Sequence, residues 1–149
     1  MTQLKLSITI TGEDFDVNAF HHGCKDPAMG TVLRRVEKPP VLSKIPGTSH
    51  SYDHWISNSK FISLKQFTNL EYASHWLEEE QHILNYLDEI FEKLPDVKLF
   101  CKGEYSKVLI VVYLETEERY VGGFFFSPKL YKKLSDLSLF MELILRKDE

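Results

Sequence analysis

The sequence predicts an α+β domain: a mainly antiparallel sheet with one long helix and two short helices packed on it. Three observations predict it. Strand-like alternation opens the chain and returns in its second half, one broad helical stripe fills the middle, and turns separate the strands more often than helices do. A single domain over residues 1–149 is expected, because a chain of this length supports one core. A hydrophobic share of 43% with 13% aromatics is enough apolar material to offset the ordering of the backbone.

The first strand rests on Leu4, Leu6, Ile8 and Ile10, which alternate with Lys5, Ser7, Thr9 and Thr11 as one buried face requires. Gly12 ends it. Asp14 or Asp16 then caps a short helix that carries Val17, Ala19 and Phe20 and stops at Gly23. Residues 24–51 read as a loop excursion, because Pro27, Gly30, Pro39, Pro40, Pro46 and Gly47 forbid helix and interrupt ladders. A short strand is expected within it, Thr31 to Val36, and another just after it, Tyr52 to Ser57, centred on Trp55.

Thr68 and Glu71 have capping-box spacing, so a long helix should follow them. Its apolar stripe is Trp76, Ile83, Leu87, Ile90 and Leu94, with Leu77, Leu84 and Phe91 beside it, and Pro95 stops it. Val97 to Lys102, Lys107 to Leu114 and Tyr120 to Phe126 read as three strands. The middle one is apolar on both faces, as an interior strand would be. Ser127 before Pro128 marks the start of a second short helix, to about Leu134, and a final strand spans Leu137 to Leu145.

Composition excludes several classes. A net charge of −4 does not suit a nucleic-acid binder, which needs clustered Lys and Arg, whereas it suits a basic protein partner. Two cysteines, Cys24 and Cys101, do not make a disulfide framework, and reduced thiols in a cytoplasmic protein are expected. The opening residues lack a continuous apolar run, and no segment approaches membrane-spanning length, so no membrane association is expected.

Candidate chemistry is sparse. His21, His22 and Cys24 stand close together, but zinc sites show two short-spaced pairs and the second is missing, so an ordinary helix end is the simpler reading and no metal is assigned. His75 and His82 receive the same reading. No glycine-rich phosphate loop, G-x-S-x-G elbow or H-E-x-x-H pair occurs, Cys101 lies among apolar neighbours, and neither a cofactor nor a catalytic residue is assigned. Glu78, Glu79 and Glu80 stand near the first turns of the central helix, where the macrodipole favours negative charge. Together with Asp88, Glu115 and Glu118 they are candidates for an acidic docking surface, the contacts being Glu78, Glu79, Asp88, Glu115 and Glu118. The alternative is a groove near Tyr52, His54 and Trp55 for a small molecule or a reaction.

The strand running into Gly12-Glu13-Asp14-Phe15-Asp16, the segment Tyr52-Asp53-His54-Trp55-Ile56 and the tail Gly123-Phe124-Phe125-Phe126-Ser127-Pro128-Lys129-Leu130 resemble a bacterial family of small domains of unknown function. The resemblance covers essentially the whole chain through a strand-G-x-D-x-D opening and a G-x-x-x-S-P-x-L tail. These motifs are structural punctuation and transfer no active site. Such domains are similar in size, charge and lack of motifs to immunity proteins, which block a cognate toxin. The expectation is therefore a non-enzymatic immunity-type protein, monomer or homodimer, that binds a basic bacterial toxin.

Overall fold

Leu4, Leu6, Ile8 and Ile10 are all buried on one side of strand β1 (Thr2–Gly12), the middle strand of the sheet. The computed structural model describes residues 2–12, 14–36, 51–64, 72–101, 106–116 and 126–147. Within them the order is β1, α1 (Val17–Gly23), β2 (Gly30–Val36), β3 (Ser51–Ser57), β4 (Lys60–Leu64), α2 (Tyr72–Phe91), β5 (Ser106–Thr116), α3 (Pro128–Asp136) and β6 (Leu139–Lys147). The chain is an α+β domain with a sheet of order β2-β3-β1-β5-β6, in which β4 also pairs β1.

The expectation of a mainly antiparallel sheet is corrected to a mixed sheet. β5 and β6 run parallel, from Val108 opposite Leu139 to Thr116 opposite Lys147. α3 lies between them in sequence and returns the chain to the end at which β5 began, as a parallel neighbour requires. The strand expected over Val97 to Lys102 is also corrected. Asp96 accepts from the Lys98 N–H and caps a 3-10 turn at Val97–Leu99, and among the described residues of this segment only Cys101 forms a bridge, with Phe15. The capping pair Thr68 and Glu71, the strand Tyr120 to Phe126 up to residue 125, and the prolines at 39, 40 and 46 lie outside the described residues.

β4 went unread in the sequence. It continues β3 along the same flank of β1: Ile10 faces Trp55 and Leu6 faces Lys60, so four steps of β1 oppose five of its partner. The extra residue is a bulge. Ser57 occupies it with its hydroxyl turned into the core, where Oγ accepts the Ile8 N–H at 2.7 Å and lies 3.1 Å from the Tyr86 hydroxyl. Asn58 ties the bulge outward by donating its N–H to the Met29 carbonyl at 2.8 Å.

The helices cover one face. Phe20 of α1, Ile83, Leu84, Leu87 and Ile90 of α2 and Leu130 and Leu134 of α3 share a core with Trp55 and with Val108, Ile110, Val112 and Leu114 of β5. Asp16 is the cap of α1 and accepts from the Ala19 N–H at 3.2 Å. Phe20 meets Phe15, Trp55 and Phe100 edge-on at 5.3–5.7 Å between centroids, the arrangement that ring quadrupoles favour. Among the described residues no helix is long and apolar enough to cross a membrane.

Candidate functional site

Pleating sends every second residue to the face opposite the helices. Register aligns these residues in rows: Phe61, Lys5, Tyr113 and Ile144 make one, Thr9, Leu109 and Phe140 another, and Leu33, His54, Thr11 and Lys107 a third. Val111 is buried on this face and is not part of the helix-side core. Phe61 and Phe140, by contrast, are 59% and 57% exposed, and Leu33 is exposed as well.

Lysines stand over these rings. Lys5 Nζ lies 5.8 Å from the Phe61 centroid and 5.3 Å from that of Tyr113, while Lys107 Nζ lies 5.6 Å from that of Phe140. Each ammonium meets the negative face of a ring and keeps access to water, so charge and apolar area occupy the same spot. At one end of the face Glu115 accepts from Gln3 Nε2 at 2.7 Å. Six strands' backbone hydrogen bonds fix the positions of these side chains, and the surface can present aromatic area and charge with little ordering cost.

The acidic residues named from sequence whose side chains are described, Glu79, Asp88 and Glu115, do not share one surface. Glu79 is buried on α2 at 2% exposure, Asp88 is exposed and paired with Lys133 of α3, and Glu115 belongs to the open sheet face. Glu118 and the Glu78 side chain lie outside the described residues. α2 begins at Tyr72, which puts the acidic run beyond its first turn and removes the dipole argument made for it. Glu89 pairs with Lys60 at 2.8 Å, and this hydrogen bond and charge hold its carboxyl below the usual range.

The residues of the alternative groove part company. Trp55 is fully buried, its Nε1–H donating to His21 Nδ1 at 3.2 Å, whereas His54, one residue away, points to the opposite face. The Tyr52 side chain lies outside the described residues. Cys24 is buried, its Sγ 3.5 Å from the Phe20 carbonyl, and burial pushes the thiol up, as it does for Cys101. Among the described residues no group of three or more His, Cys, Asp or Glu side chains is arranged to hold a metal ion.

Sequence reasoning passed over two buried polar centres. One is Ser57 with Tyr86, whose hydroxyl burial pushes up to about 12. The other is Glu80, 4% exposed, whose carboxylate accepts from the N–H and the hydroxyl of Ser127 at 2.7 and 2.8 Å. A signal for Glu80 existed, because it precedes Ile83, Leu84 and Leu87 by three, four and seven residues and so lies on their stripe. The open face was legible as alternation in β1, but Phe61 belonged to the unread β4.

The fold and this face define an α+β domain whose exposed feature is an aromatic, lysine-capped sheet surface. No family model, no curated protein and no solved structure gives a match to the chain.

Proposed function

We propose that the chain is a non-enzymatic binding protein of the immunity type, which neutralises a cognate bacterial toxin by direct contact through the open face of its sheet. The observation that carries this reading is the pair Phe61 and Phe140, each more than half exposed on a rigid face and each under a lysine ammonium. Aromatic side chains held in this way are the residue type that anchors protein interfaces. The net charge of −4 supports a basic toxin, whose approach an acidic molecule accelerates.

The test pairs the chain with toxins encoded beside its gene, measuring binding by calorimetry and protection by growth. Phe61→Ser combined with Phe140→Ser should leave the melting temperature nearly unchanged and weaken binding by roughly thirtyfold or more for each anchor. Wild-type affinity and protection in that variant, or recovery of no protein partner at low salt, would overturn the proposal.

A further inference from the structure

A cavity of about 430 Å³ opens where the helix layer ends. Its size falls within the range of about 300–1,000 Å³ common for ligand sites. Leu94, Val97, Val108 and Leu137 give it an apolar lining, and Asp96 and Asp136 add two carboxylates.

Two further sources of negative potential meet there. α2 ends at Phe91 and α3 at Asp136, and both of these residues line the cavity, so the carbonyl ends of two helices converge on it. Among the described residues Lys98 is the cation on its lining, set against two carboxylates and two helix ends. Asp96 keeps its position by accepting from the Lys98 N–H at 3.1 Å. Ser138, also in the lining, precedes Phe140 by two residues, and the Phe140 side chain lies on the opposite, open face of the sheet.

We infer that this cavity receives a lysine or arginine side chain of a protein partner, its aliphatic stem on Leu94, Val97, Val108 and Leu137 and its cationic head between Asp96 and Asp136. An apolar stem with a charged tip matches a lining that is apolar in part and negative in potential. The inference rests on the toxin-binding reading for the identity of the partner. The site's chemistry is tested without any toxin.

The probes are Nα-acetyl-lysinamide, Nα-acetyl-argininamide and the uncharged analogue Nα-acetyl-norleucinamide, titrated into the full isotope-labelled chain and followed by amide NMR shifts. The two cations should produce saturable shifts at Leu94–Lys98 and Asp136–Ser138 that weaken with salt, and norleucinamide should not. Asp96→Asn with Asp136→Asn should reduce cation affinity about fivefold, the scale of partly exposed ion pairs. Asn retains the capping oxygen at position 96, so the fold should persist. Equal binding of norleucinamide, shifts elsewhere, absence of saturation or unchanged affinity in the double variant would each overturn the cavity assignment. Those outcomes are independent of the Phe61 and Phe140 result, which alone bears on the sheet face.

Discussion

Glu80 of α2 holds the first turn of α3 through Ser127: one carboxylate oxygen accepts the Ser127 N–H at 2.7 Å, and the hydroxyl lies 2.8 Å from both oxygens. The same hydroxyl accepts the Lys129 N–H at 3.2 Å as the helix cap. A buried acid therefore docks one helix on another at the point where α3 begins.

Ser127→Ala should destabilise the fold by roughly 2–3 kcal/mol, since it removes a cap and deprives a buried carboxylate of a donor. Glu80→Gln keeps the shape with a weaker acceptor and should cost about 1 kcal/mol. Urea unfolding of both single variants and the double variant measures the coupling. Strict additivity would show that the two side chains do not act as a unit.

Gly30 is required by contact, with no demand on its backbone angles. A Cβ there would lie 2.1 Å from Cζ2 and 2.4 Å from Cε2 of Trp55, a ring already fixed by Phe20 and His21. Gly30→Ala should cost about 1–3 kcal/mol or more and alter tryptophan fluorescence. Trp55→Phe, although destabilising in its own right, should make the further change Gly30→Ala much less costly; denaturant midpoints of the four proteins decide it.

Tyr86 predicts an alkaline limit to stability. Burial chiefly raises its pKa from 10.0 to about 12, against a lowering by the Ser57 hydrogen bond. Because the folded value lies above the unfolded one, the unfolded chain releases the proton first. The contribution of this group is therefore complete below pH 10 and is lost as pH rises towards about 12. Tyr86→Phe should show a shallower fall of melting temperature over that window, and phenolate absorbance should lose its highest-pH component.

Much of the scaffold was legible because it follows local rules. Alternation located β1, a cap at Asp14 or Asp16 located α1, with Asp16 the one used, and Ser127 followed by Pro128 located α3. Two misreadings fell where a tertiary contact overrode the local pattern. Ser57 turns its hydroxyl inward to satisfy the Ile8 N–H, which allows one strand to continue past a bulge as β4. Glu80 is charged yet buried because Ser127, 47 residues away, supplies its donors.

Periodicity and caps, which act within a few residues of chain, were enough for the α+β class, much of the core and the starting points of two helices. Long-range contacts decided the rest: that β6 runs parallel to β5, that Trp55 packs against Phe20 and His21 while His54 lies beside Leu33 and Thr11, and that Phe61 and Phe140 share one exposed face. These outcomes depend on strand order and register, which join residues far apart in sequence through hydrogen bonds that no local pattern encodes.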